Sequence, residues 1–249
     1  MDLIAEFFLE LRSTTGLNFS IFHDPFDMRR FWRGFLVTVQ LAATSVVLSL
    51  AIGVVGAFLQ SLPVAALRLL VNGYVALFRN TPPLVQMYFF FFALGSLTPT
   101  VVDDIGVRTP MVSNYAWALI ALSFFAGAFN VEIFRSGVEA IPRATVEAAE
   151  ALGYSRARAY VHIVLPLAFR VCLPALNNNL VNLIKTTTLA YAIGVPEMLY
   201  VANQIWSDTL NVVEMMNVLL LLYIALVSVL VWLMRRWERS LRMPGFGAR

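Results

Sequence analysis

The stretch GFLVTVQLAATSVVLSLAIGVVGAFLQSLPVAAL, residues 34–67, runs without a single Asp, Glu, Lys or Arg. A bilayer hydrocarbon core of about 30 Å is crossed by roughly 20 apolar residues in helical form. A run this long therefore predicts a helix whose solvent is lipid, since a helix hides its own backbone groups where no water can. Residues 80–102, 109–131 and 215–234 are also free of those four charged types and long enough to cross. A fifth span is expected over 182–206, apolar but spotted by Lys185 and Glu197. Residues 65–78 form either an interfacial helix or the start of the second span.

The whole composition agrees. Of 249 residues, 59% are hydrophobic and 13% charged, against about half and about a quarter in soluble domains. That surplus exceeds what one soluble core of this size hides. The first apolar run begins beyond thirty residues and follows acidic positions, so a cleavable signal is not expected. Residues 1–33 mix aromatic, acidic and basic positions without a clear period; they are expected to be an extracytoplasmic segment, with the transmembrane domain over 34–249. The expected fold class is an all-α integral membrane protein of about five transmembrane helices.

Five spans put the termini on opposite sides. With the C-terminus inside, the inner loops and tail hold thirteen basic residues, among them Arg68, Arg79, Arg135, Arg143, Arg156, Arg158, Arg170 and Lys185, and five lie outside: Arg12, Arg29, Arg30, Arg33 and Arg108. The positive-inside bias favours this orientation, although the cluster Arg29, Arg30 and Arg33 opposes it locally. The net charge of +3 is thus sorted by loop, which points to membrane lipid and orientation rather than to nucleic acid.

Residues 136–170 then form a cytoplasmic loop, and EAAEALGYSRARAYVHIVLP (147–166) stands out within it as polar, Ala-rich and helix-forming. Pro142 suits the start of a helix, and Arg143 and Glu147 are spaced to pair. Gly153 suits a left-handed close, and Ser155 suits an N-cap. Pro166 and Pro174 are expected to punctuate the return to the membrane. The product is a bent helical knob whose alanines allow close approach, or else a solvated connector of good helix propensity.

The spacing of Glu147, Ala148, Ala149, Gly153, Ile163, Leu165 and Pro166 resembles the EAA signature of bacterial ABC importer permeases. FRNTPPLVQMYFFFFAL and NLIKTTTLAYAIGVPEML resemble two further segments of the polar amino acid uptake family, with Pro83 and Thr186 departing from the usual residues. The resemblance implies a permease subunit paired with a second permease copy, which forms the path for an amino acid substrate. It implies a cytoplasmic ATP-binding subunit and a periplasmic or lipid-anchored solute-binding protein. It also implies that Glu147, Ala148, Ala149 and Gly153 make the ATPase contact and that Asn178, Asn179 and Asn182 help line the path.

The residues themselves exclude much else. The lone lysine, Lys185, follows Ile184, so no Walker A loop exists and ATP hydrolysis is expected on a partner. His23 and His162 give no zinc spacing, and no metal or cofactor is expected. Cys172 reads as packing. Polar groups in membrane helices face a cavity or a partner, which makes Asn177, Asn178, Asn179, Asn182, Thr186–Thr188 and Glu132 candidates; hydrogen bonding across a dimer seam explains the asparagines equally well. Lys185 is expected to snorkel near the inner interface, and Glu197 to cap a helix near the outer end. The alternatives are a secondary carrier, for which internal repeats are missing, and a channel, for which a filter-like loop is missing.

Overall fold

A computed structural model describes residues 2–102, 106 and 108–241. The tail arginines Arg242 and Arg249, counted above for sidedness, lie outside the described residues. The chain is helical nearly throughout: α1 Asp2–Thr15, α2 Ser20–His23, α3 Pro25–Ser61, α4 Ala65–Asn80, α5 Pro83–Tyr88, α6 Asn114–Glu139, α7 Arg143–Ala151, α8 Arg156–Ala159, α9 Leu165–Thr186, α10 Met198–Thr209 and α11 Val212–Leu241. A short antiparallel hairpin pairs Thr100–Val102 with Arg108–Pro110.

Among the described residues, four helical stretches are long and apolar enough to cross a membrane: Pro25–Ser61, Asn114–Glu139, Arg156–Ile193 and Val212–Ser240. Pro83–Leu97 is a shorter apolar helix. The first span starts nine residues before the uncharged run and, at 37 residues, is about 55 Å long. Its charged first turns can therefore stay outside the hydrocarbon. The apolar run 80–102 is not one helix. Thr81 and Pro82 separate α4 from α5, which Pro83 opens, and a π-helical turn, Phe89–Leu94, follows.

The expected span over 182–206 is corrected. The long helix lies earlier, α9, and Pro174 sits inside it rather than ending it. Thr187–Ile193 tightens to a 3-10 helix, Gly194 closes it at φ 74°, and α10 begins only after Pro196. Lys185 is 20 residues beyond Leu165 in one helix, about 30 Å along its axis. It therefore belongs to the end remote from the loop arginines, and the basic count becomes twelve against six, which leaves the bias unchanged in sign.

Two compact units divide the chain. One gathers residues up to Thr44, Pro83–Ala121 and Ile184–Ser228. Its core sets Met198, Val201 and Ile205 of α10 against Met215 and Leu219 of α11 and Phe31 of α3. Glu197, fully buried, caps α10 by accepting from the Leu199 and Tyr200 amides at 3.0 and 2.8 Å. Thr38 Oγ1 accepts from the Met198 amide at 2.9 Å.

The other unit gathers Ser45–Pro82, Leu122–Leu183 and the chain from Val229. Its cores join Phe134 of α6 to Cys172 and Leu176 of α9, and Val131 to Val71 and Val75 of α4. The Cys172 thiol donates to the Ile133 carbonyl at 3.1 Å and is buried, so it packs as its setting predicts. Small residues permit these approaches. A Cβ at Gly137 would collide with Cys172 Sγ and stand 3.0 Å from the Ala168 carbonyl. Gly137→Val is accordingly expected to cost at least about 1–3 kcal/mol, as overpacking of a filled core does. The check is the melting temperature of the purified protein, with Cys172→Ala restoring part of the loss by removing the colliding sulfur.

Candidate functional site

The loop between α6 and α9 is built by local rules that follow its sequence. Helix α7 ends in a full Schellman motif: the Tyr154 amide donates to the Ala149 carbonyl at 3.1 Å, and the Gly153 amide to that of Glu150 at 2.9 Å. Gly153 supplies the left-handed residue this closure needs, at φ 86°. Ser155 Oγ accepts from the Arg158 amide, capping α8. The inner side packs Ile141 and Val164 on Ala168, with Val146 and Tyr160 beside them. Ala149 is buried on that side, whereas Glu147, Ala148 and Gly153 are exposed.

The knob therefore presents a charged group, a methyl-sized surface and a bend together. Leu152, 80% exposed, stands at the bend. Arg143 and Glu147 form no ion pair with each other among the described residues, so Glu147 is left to face outward. His162 Nδ1 is 3.0 Å from the Arg158 carbonyl, a local helical contact.

The asparagines of α9 divide. Asn179 is buried; its amide donates to Asn130 Oδ1 at 2.8 Å and to the Ala126 carbonyl at 3.1 Å. Asn130 donates onward to Ser49 Oγ at 3.2 Å. This is an interhelical tie between α9, α6 and α3. Asn178 and Asn182 are exposed and one turn apart, hence on one face. The structure thus brings Asn178 and Asn182 together and turns Asn179 away from them. Thr187 and Thr188 bond locally to Ile184 and Lys185 carbonyls.

A charged ladder lies on α6. Arg135 reaches Glu132 at 2.8 Å and Glu139 at 2.7 Å, and Arg79 approaches Glu132 at 3.8 Å. Glu132 borders two cavities of about 570 and 310 Å³. In the larger one, Gln60 donates to Asn72 at 2.8 Å, while its own carbonyl oxygen is buried and unpaired. Sequence reasoning singled out Glu132 but used Arg79 and Arg135 only as markers of sidedness. The spacing Glu132, Arg135, Glu139 is itself the signal of an ion ladder on one helix face. Among the described residues no cluster of three or more His, Cys, Asp or Glu could hold a metal.

Comparison with known proteins decides what this assembly is. The sequence matches the binding-protein-dependent transport system inner membrane components over residues 31–243. The chain belongs to that family. It is a multi-pass inner-membrane transport component, the permease part of an ABC transport system.

Members of the family resemble it along most of their length. The glutamate/aspartate import permease protein GltJ of Escherichia coli K12 is 28% identical over 219 residues, 86% of this chain and 88% of the relative. The nopaline transport system permease protein NocM of Agrobacterium fabrum is 34% identical over 213 residues, 81% and 86% of the two chains. The histidine/lysine/arginine/ornithine permease protein HisQ of Salmonella typhimurium is 32% identical over 166 residues, 67% and 73%. The fold matches that of an amino acid ABC transporter crystal structure with a TM-score of 0.73 at 24% identity, covering 86% of this chain and 94% of that one. A chain of a bacterial alginate ABC transporter gives 0.70 at 12% identity, covering 93% and 87%.

Proposed function

We propose that the chain is the permease subunit of an ATP-driven importer of polar amino acids, and that the 147–153 knob is its mechanical link to a cytoplasmic ATPase. The observation that carries this is the knob: a rigidly closed bend that leaves Glu147, Ala148 and Leu152 exposed while its inner side is anchored on α9. Movement imposed on such a body is passed to the helix it is packed on, which is how a rigid-body switch couples two distant sites. The amino acid class rests on the substrates named for GltJ and HisQ.

In this reading the chain hydrolyses nothing itself. It pairs with a second permease copy and receives substrate from a periplasmic or lipid-anchored binding protein. Asn178 and Asn182 offer amide donors and acceptors to the substrate, and Asn179 holds the wall they stand on. Proteoliposomes containing the co-purified subunits should take up amino acid only with ATP on the side that holds the ATPase. Uptake driven by an ion gradient without ATP would instead make the protein a secondary carrier.

The N-terminus is outside and the C-terminus inside, by the basic-residue bias. In a Cys172→Ser background, Leu97→Cys, at a position 80% exposed beyond the shorter apolar helix, should react with a membrane-impermeant thiol reagent added to intact cells. Arg156→Cys should react only after the membrane is opened. The reverse pattern would invert the topology and remove the knob from the cytoplasm.

A further inference from the structure

Inside the first unit lies an apolar cavity of about 720 Å³, within the 300–1,000 Å³ range of small-molecule sites. Phe8 of α1, Phe22 of α2, Met28 and Trp32 of α3 and Leu221 and Leu222 of α11 form half of its wall. Asn217 is the one polar residue on it among the described residues, and its amide is already donated to the Val213 carbonyl at 2.9 Å. Such a space offers water fewer than the two to four partners it needs. Hydrocarbon fits it.

Two observations say which hydrocarbon. Trp32 and Leu221 line the cavity and are also 54% and 66% exposed on helices long and apolar enough to cross a membrane, so the cavity adjoins exposed apolar surface. Helix α1 has an apolar row, Leu3, Ile4 and Phe7, that is 58–84% exposed, with Glu6 and Glu10 along one edge of it and Arg12 on the far side. That is the pattern of a helix lying in the bilayer interface. Phe8 stacks on Phe22 at 4.5 Å and fixes α1 over the cavity.

The arginines that oppose the positive-inside bias stand at the same place. Arg30 is occupied, paired with Asp27 and Asp208 at 2.8 Å each. Arg29 and Arg33 are exposed, have no carboxylate partner among the described residues, and directly follow the wall residues Met28 and Trp32. Guanidinium groups beside an interfacial Trp suit a phosphate.

We propose that this cavity holds one acyl chain of an anionic phospholipid whose phosphate is bound by Arg29 and Arg33. The site is independent of the transported substrate and of the knob, so its failure would leave the transport reading untouched.

The test is native mass spectrometry of the full-length chain in its purified complex, after exposure to phosphatidylglycerol and phosphatidylcholine of matched chains. Wild type should retain phosphatidylglycerol with up to a roughly thirtyfold preference, as two arginines near a lipid surface can supply at low salt. The double variant Arg29→Gln/Arg33→Gln should keep a lipid but lose the preference. Leu221→Trp, and separately Met28→Trp, should fill the space and expel either lipid without altering complex assembly. Equal retention in both filling variants and wild type would overturn the proposal. So would a changed oligomeric mass with unchanged lipid, which would make this face a contact between protein chains.

Discussion

Gly153→Val is expected to lower ATP-dependent uptake by roughly 5- to 30-fold while the chain still inserts. The backbone there is left-handed, at φ 86°, and a side chain at that position would meet nothing within 4 Å. The penalty is therefore conformational, about 1–2 kcal/mol for an ordinary residue and worse for a β-branched one. Relieving it means undoing the Schellman closure and swinging Leu152 and Tyr154 off the geometry that the partner must meet. Gly153→Asn is the control, because Asn tolerates this region and should keep most of the activity. Glu147→Lys should impair uptake without costing stability, since an exposed helical position changes folding by no more than about 0.5 kcal/mol. Each substitution is to be measured for uptake and for co-purification of the ATPase. Normal docking and uptake in both the Gly153→Val and the Glu147→Lys chains would reject the coupling assignment. Equal loss in Gly153→Asn would move the cause from the backbone to the lack of a side chain.

These expectations could be read from the sequence because the loop obeys nearest-neighbour rules. A glycine after a run of helix formers and a serine before the next run specify closure and cap without tertiary help. The uncharged run at 34–67 was equally legible, since lipid imposes a length and a composition that few soluble segments meet.

What the sequence concealed depended on partners distant along the chain. Pro174 reads as a break, yet α9 carries it; neighbouring helices in a membrane domain can meet the backbone groups a proline frees. Asn177, Asn178, Asn179 and Lys185 add polar groups to residues 165–186 that local composition alone does not match with partners. Asn179 is in fact matched by Asn130, 49 positions earlier, a pairing that no local pattern announces. The close of the helix at Gly194 and the new start at Glu197 were visible as Gly, Pro and an acidic cap, but the apolar residues on both sides masked the break.

The same division among the asparagines separates wall from path, and it sets the last expectation. Asn179→Ala should reduce thermal stability and leave the half-saturation concentration for uptake alone. It strands Asn130 Oδ1 in a buried setting and removes the second donor to the Ala126 carbonyl, which keeps its helical bond, at a cost of order 1–2 kcal/mol given what interhelical hydrogen bonds contribute in membranes. Asn178→Ala and Asn182→Ala should do the opposite. Both residues are exposed on one face of α9, so the fold is expected to lose less than with buried Asn179. A substrate group left without its bond loses about 1–3 kcal/mol, or roughly five- to a hundredfold in apparent affinity. Asn182 should show the larger effect, because it lies nearer the Thr186–Gly194 turn at which the helix changes character. Uptake kinetics and melting curves on the same preparations tell the cases apart. If Asn178→Ala and Asn182→Ala instead dissociate the purified complex while residual uptake keeps its half-saturation point, these residues bind the second permease copy. The path would then be sought at Glu132, whose carboxylate borders two cavities and is held there by Arg79 and Arg135.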